Sequence, residues 1–216
     1  NGEPALERAC NDDKVSKLKG FGAKTQAKIL EGIAFLDLVG KRVRFDQAFP
    51  LGMALLEHLS KLPGVIRSEL CGSLRRRRES AKDIDILLSA DDPKPIMDAF
   101  VKPPGGMPPV GPGDKKSSIV AAMTIGGKKI VLNADLRVVP DESFPFALHY
   151  FTGSKEHNIR VRQRAIERGL SLNEYALTGE NRSVKCKDEA DIFKALDLPW
   201  IPPELREDSG EIEAAE

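Results

Sequence analysis

Asp83-Ile84-Asp85 sets two carboxylates at alternate positions, hence on one face of a strand, while Ile84 and Ile86 face the other way. The same alternation returns later in the chain. Ile130, Leu132, Ala134, Leu136 and Val138 form an apolar face, and Asn133, Asp135 and Arg137 lie opposite it. If the two strands are neighbours, Asp83, Asp85 and Asp135 converge. At an effective dielectric near 20 such carboxylates repel one another by roughly several kcal/mol per pair. Divalent cations relieve that repulsion, and an all-oxygen donor set favours Mg²⁺ or Mn²⁺ over zinc. Taken alone, an Asp-x-Asp pair fits solvated strand-edge aspartates better than a metal site.

What precedes the pair sharpens the reading. Gly72-Ser73-Leu74-Arg75-Arg76 directly follows an expected strand over Val65–Cys71. A turn glycine, a hydroxyl and free amides at a helix start bind phosphate oxygens, and arginine adds a bidentate cation. An anion site beside paired carboxylates is what a nucleoside triphosphate and two metal ions require. The chemistry indicated is nucleotidyl transfer.

A second constellation lies upstream. Gly20 and Gly22 flank Phe21 in a hairpin expected between two short helices, with Lys24 and Thr25 just after. Glycines let a backbone approach a nucleic-acid phosphate, and the amides of the following helix point at it. Such a device grips a strand without reading bases. Residues 14–44 carry eight basic side chains against Glu31 and Asp37, whereas residues 204–216 carry six acids and Arg206. With 33 basic and 33 acidic residues overall, the chain is no histone-like polycation. Segregated charge would let one face meet a polyanion, and two solvated surface runs would look the same.

The elements that must position these residues follow from periodicity. A length of 216 residues and a hydrophobic share of 41% support a buried core. No apolar run reaches the roughly 18 residues of a membrane span. Cys10, Cys71 and Cys186 form no Cys-x-x-Cys pair, which excludes a zinc ribbon or disulfide scaffold and suits a reducing cytoplasm. Leucines 51, 55, 56, 59 and 62 keep helical spacing until Pro63-Gly64. Strands are expected over 84–88, 118–125 and 128–139, the last two joined at Gly126-Gly127, after a Pro/Gly-rich loop over 102–117. Helices are expected over 144–151, 155–168 and 189–196, with a strand pair near 172–177 and 183–186. The class is α/β with an α+β character. His58 reads as surface, Cys71 as buried, and Trp200 as the residue that pins the tail. His149 and His157 fit packing or DNA contact.

Taken together, these motifs resemble the bacterial and archaeal family X DNA polymerases, relatives of DNA polymerase beta. The resemblance rests on Leu18-Lys-Gly-Phe-Gly-Ala-Lys-Thr, Cys71-Gly-Ser-Leu-Arg-Arg, Lys82-Asp-Ile-Asp, Asn133-Ala-Asp-Leu-Arg-Val-Val-Pro, Tyr150-Phe-Thr-Gly-Ser-Lys-Glu-His-Asn and Ser171-Leu-Asn-Glu-Tyr. It implies a nucleotidyltransferase palm with a mixed β-sheet over 49–140. A helix-hairpin-helix subdomain over 1–48 would precede it, and a nucleotide-selecting α+β subdomain over 141–206 and an acidic tail over 207–216 would follow.

The resemblance also implies roles. Asp83, Asp85 and Asp135 would hold two Mg²⁺ or Mn²⁺ ions. Gly72, Ser73, Arg76 and Arg42 would bind the triphosphate, Tyr150, Phe151 and Gly153 would pack on sugar and base, and Asn158 would touch the minor-groove edge of the nucleotide. Gly20, Gly22, Lys24 and Thr25 would grip DNA, helped by a monovalent cation, and Arg162 would contact the template. Arg137, grouped with these DNA-side residues, matches an arginine that orients the carboxylates. Two departures stand out: Asn133 and Lys155 replace an arginine and an aspartate of the vertebrate members.

The implied activity is template-directed addition of deoxynucleotides to a primer or gapped DNA in repair, by a cytoplasmic monomer without membrane contact. The chain reads as a core lacking the family's N-terminal lyase-type and C-terminal phosphoesterase domains. The alternatives are a template-independent nucleotidyltransferase and a DNA-binding fragment inactive through truncation.

Overall fold

The computed structural model describes residues 2–39, 41–101, 116–180 and 182–216. Its contacts divide into two compact units, Asn1–Lys41 and Arg42–Glu216. In the first unit, α1 (Glu3–Asn11) carries Pro4 in its opening turn, where a missing N–H costs nothing. The second helix, α2 (Ala23–Val39), is long. Between them the chain passes through successive turns rather than the short helix expected before Gly20. Asp13 and Gly20 take φ of 55° and 90°, values that a continuous helix cannot hold. The turns are tied by Gln26, whose side-chain oxygen accepts from the Ser16 amide at 2.8 Å while its nitrogen donates to Asp13 at 2.7 Å.

The second unit runs β1 (Val43–Arg44), α3 (Phe45–Ser60), β2 (Val65–Leu70), α4 (Gly72–Arg75), β3 (Ser80–Ala81), β4 (Asp83–Ala90), α5 (Lys94–Phe100), β5 (Lys116–Ile125), β6 (Lys128–Val139), α6 (Phe144–Thr152), α7 (Lys155–Glu167), β7 (Leu170–Leu172), β8 (Leu177–Gly179), β9 (Arg182–Val184) and α8 (Glu189–Ala195). Residues 42–48, expected with the helical start, pack here, since β1 pairs with β3. The loop expected over 102–117 lies outside the described residues except for Lys116 and Ser117, which open β5.

The main sheet has the order β2-β4-β6-β5, with β4 parallel to β6 and the other pairs antiparallel. It is the mixed sheet expected. Gly126 and Gly127 both take positive φ, as a two-residue hairpin with the twist of its strands demands. One face of the sheet is largely apolar: Ile84, Ile86, Leu88, Leu132, Ala134 and Leu136 are buried against α3 and α5. The other face changes along β4. Leu87 is buried beneath α6 with Cys71, Val139, Phe144 and Ala147, whereas Asp83 is exposed and Asp85 half-buried. Helix α6 therefore covers one end of this face and leaves the carboxylate end open.

A separate cluster joins α7, the small sheet and α8 through Val161, Leu172, Leu177, Ile192 and Phe193. The small sheet has three strands, β7-β8-β9, rather than two. Asn173 stops the first of them, because its side-chain oxygen accepts from the amides of Tyr175 and Ala176 and closes a turn. Helix α5 gave no sequence signal, because Pro93 and Pro95 frame its start; both sit where helices tolerate proline.

His149 and His157 are both buried at 2% and 0% exposure, which settles their reading as packing. Burial, then the nearby Arg206 charge, depresses the His149 pKa to about 3. His157 is also depressed by burial, although its Nδ1 lies 2.7 Å from Glu211. In the unfolded chain both would titrate near 6.5. The unfolded state thus binds more protons as pH falls below that value, and stability is lost in that direction. Glu189, Glu211 and Asp141, whose carboxyls are held below their ordinary values, contribute stability that is fully present above the usual carboxylate range and is lost only as pH falls through it. Urea denaturation should therefore show stability falling by about 2–3 kcal/mol between pH 6.5 and 4.5. His149→Leu should flatten that slope; an unchanged slope would refute the assignment.

Candidate active site

Parallel pairing brings Asp85 of β4 level with Asp135 of β6, and Asp83 level with Asn133. Levels and faces coincide, so the three aspartates share the open end of the sheet. Ser118 of the neighbouring β5 donates to Asp135 Oδ1 at 2.6 Å. Asp85 also has a partner within the protein. Among the described residues, no three His, Cys, Asp or Glu side chains already close into a metal cage.

The turn after β2 packs directly on this end. The Cys71 amide donates to the Asp85 carbonyl at 2.8 Å, and Gly72 follows with φ of 58°. A Cβ on Gly72 would lie 2.3 Å from Asp85 Oδ2, so no larger residue fits beside the carboxylate. Thus Gly72 serves the carboxylate as well as the backbone conformation. The single turn α4 then places Ser73 and Arg76 over the opening.

These groups line a cleft of about 720 Å³. Of the residues singled out from sequence, Asp83, Asp85, Gly72, Ser73, Arg76, Arg42, Tyr150, Phe151, Gly153, Asn158 and Arg162 line it. Asp135 sits beside it through its register with Asp85. Arg137 stacks on the Phe151 ring at 4.1 Å, which makes it a support for an aromatic of the wall. Gly20, Gly22, Lys24 and Thr25 belong to the first unit, where Gly22 caps the start of α2 through its carbonyl, which accepts from Thr25 and Gln26.

Several wall positions are held by identifiable bonds. Arg42 donates to the Ser80 hydroxyl at 2.8 Å and to the Ser80 carbonyl at 2.6 Å, which ties the β1–β3 ribbon to the cleft. Tyr150 and Phe151 meet edge to face at 5.1 Å, and Asn158 Nδ2 donates to the Tyr150 carbonyl at 2.7 Å. Helix α7 starts at Ser154, whose hydroxyl accepts from the His157 amide.

Sequence reasoning did not select Arg78, Lys82, Thr152, Lys155 or Ile159 as site residues, yet all five line the cleft. Lys82, Thr152 and Lys155 lie within the quoted motifs and could have been found by position. Arg78 and Ile159 lie outside them. Arg78, Lys82 and Lys155, with Arg42, Arg76 and Arg162, give the wall a strongly cationic character around Asp83 and Asp85, suited to a polyphosphate.

Two expectations change. Trp200 is 46% exposed and does not pin the tail; Ile201 and Arg206, at 3% and 0%, do. The acidic end is not simply solvated either. Glu204 pairs with Arg77 at 3.0 Å, Glu207 with Arg76 at 2.7 Å and Glu211 with His157, while Glu213 and Glu216 pair with Arg160 and Arg164 of α7. His58 is exposed and Cys71 buried, as expected.

Comparison with known proteins bears on this geometry. Residues 147–207, which supply the aromatic wall and α7, match the DNA polymerase beta thumb family. Over 97% of its length the chain is 36% identical to DNA polymerase/3'-5' exonuclease PolX of Bacillus subtilis, of which it covers 36%. Over nearly its whole length the chain is thus similar to DNA polymerases of family X. It is also 28% identical, over 89% of its length, to DNA polymerase lambda of Rattus norvegicus, of which it covers 38%. The chain spans between a third and two fifths of the length of these curated relatives. Among its described residues, no helix is long and apolar enough to cross a membrane.

Proposed function

We propose that this chain carries out template-directed addition of deoxynucleotides to a primer 3'-hydroxyl, filling gaps in DNA repair as a monomer. The observation that carries the reading is the register of Asp85 with Asp135 at the mouth of a cationic cleft that also contains Gly72 and Ser73. The polymerase names of the bacterial and rat relatives support it.

In this reading Asp83, Asp85 and Asp135 hold two divalent ions. The fit rests on hard carboxylate donors on one strand face and on the room that Gly72 leaves beside Asp85. Bound there, Mg²⁺ or Mn²⁺ would neutralise the charge that develops between the attacking oxygen and the departing pyrophosphate. The chain's own groups do the rest. Ser73, Arg76 and Arg42 bind triphosphate oxygens, Tyr150, Phe151 and Gly153 seat sugar and base, and Asn158 touches the base edge. Arg162 contacts the template, and Arg137 steadies Phe151 from behind.

Gly20, Gly22, Lys24 and Thr25 grip the DNA backbone, with a monovalent cation on the hairpin carbonyls. Among the described residues beyond its two neighbours, a Cβ on Gly22 would meet no atom within 4 Å, so that packing does not require glycine there. A DNA phosphate approaching that backbone would use the room.

The test is extension of a labelled primer across a one-nucleotide gap, each dNTP offered separately with Mg²⁺ or Mn²⁺. Incorporation of the complementary nucleotide alone is the expected result. Addition regardless of template would move the protein to the tailing enzymes. Binding of gapped DNA without any addition would leave a DNA-binding fragment and end the polymerase reading.

A further inference from the structure

Arg76 is the one arginine of the Gly72–Arg76 turn that reaches the cleft, and two hydrogen bonds fix its guanidinium. Its Nε donates to Glu207 Oε1 at 2.7 Å, and its Nη1 donates to the Thr152 carbonyl. A Cβ on Gly153 would stand 3.2 Å from Nη1, so glycine there makes room for the group. The Arg76 side chain is only 14% exposed. Glu207 itself is no loose tail residue. It follows Arg206, which is fully buried, donates to Glu189 at 2.6 Å and to the Ile201 carbonyl at 2.9 Å, and accepts the Ser154 amide at its own carbonyl. The Glu207 amide closes a further bond to Leu205. Its carboxylate also lies 3.5 Å from Arg78 Nε, and Arg78 too lines the cleft.

We propose that Glu207 is a positioning residue that presents Arg76 end-on to the phosphates of the incoming nucleoside triphosphate, an inference that rests on the polymerase reading of this cleft. A guanidinium has five N–H donors and can bind an oxyanion through its side edge, Nε with Nη2, or through its end, Nη1 with Nη2. Glu207 occupies Nε and so removes the side edge. Thr152 takes one N–H of Nη1, which leaves the end fork available. A carboxylate fixed on a rigid, buried support is suited to holding such a geometry before ligand arrives.

The opposite possibility is that Glu207 mimics a phosphate and competes with the nucleotide. The two differ in sign. The test is calorimetric titration of the whole chain with dATP and Mg²⁺, alongside single-nucleotide gap filling and gapped-DNA anisotropy, for wild type, Glu207→Ala and Glu207→Gln. If Glu207 positions Arg76, Glu207→Ala weakens dATP binding and raises the nucleotide KM by about tenfold, the scale of one charge-assisted contact. Turnover at saturation falls by less, DNA affinity stays within about twofold, and Glu207→Gln, which can still accept from Nε, recovers part of the loss.

Equal or tighter dATP binding by Glu207→Ala overturns the proposal, and tighter binding assigns competition instead. A fall in melting temperature with parallel loss of every parameter also overturns it, as a merely structural role. Failure of wild type to bind dATP does the same. If wild type binds dATP and Glu207→Ala binds it more weakly, but neither extends a primer, the positioning role stands and the polymerase reading falls. If gap filling proceeds and Glu207→Ala changes neither affinity nor KM, the reverse holds.

Discussion

Asp135→Ala is expected to lower nucleotide incorporation by at least about a thousandfold, on the order of 4 kcal/mol of transition-state stabilisation. Asp135 lies level with Asp85 across the parallel β4–β6 pair, so its carboxylate is the sheet's contribution from the second strand. Ser118 is among its partners and donates to Oδ1 at 2.6 Å. If the three carboxylates hold two ions as proposed, removing one would weaken the hold on both. Asp135→Asn sharpens the test, because its side-chain oxygen can still accept from Ser118 while the charge is lost. The fold should survive, since this end of the sheet face is open and the core lies on the opposite face. Single-turnover gap filling, with circular dichroism as the control for folding, measures the effect. Activity within tenfold of wild type in a folded Asp135→Ala protein would refute the metal assignment.

Glu189→Ala is expected to cost about 3–5 kcal/mol of stability, the largest effect foreseen for a single surface-distant site. Glu189 is 5% exposed and accepts from Arg75 Nη2 and Arg206 Nη1, both at 2.6 Å. Burial pushes its carboxyl up, but hydrogen bonding from Arg75 and the charge of Arg206 outweigh this and hold it below its ordinary value. Truncation would strand two guanidiniums away from water, one of them fully buried. Thermal or urea denaturation reads the loss. Arg75 continues from the same turn as Arg76 and also bonds Thr152 at 2.6 Å, so the variant should loosen the cleft wall as well. A change below about 1 kcal/mol would mean that the triad is solvated in solution.

Much of the site was legible because strand chemistry is local. Alternation at 83–85 and 130–138 placed three aspartates on polar faces, and Gly72-Ser73 announced an anion turn, without knowledge of any distant residue. Strand β6 and the Gly-Gly hairpin were readable at their observed bounds for the same reason. Local signals also misled where a side chain competed with the backbone. Asn173 closed a turn inside an expected strand, and Asp13 with Gly20 replaced an expected helix by turns.

What the residues alone determined was the inventory of chemistry: carboxylates of one face, a phosphate turn, a glycine hairpin and a family resemblance strong enough to assign roles. Tertiary structure decided which of them meet. The parallel β4–β6 pairing brings together segments separated by a long crossover, and no periodicity encodes it. Glu207 reaches Arg76 across 131 positions, and the acidic end, legible only as net charge, resolved into particular pairs with arginines. Secondary structure is set by neighbours a few residues apart, whereas partners of a charged group are set by where the buried core carries it. Arg206 in the core fixes Glu207 at the cleft, and composition could not have placed it there.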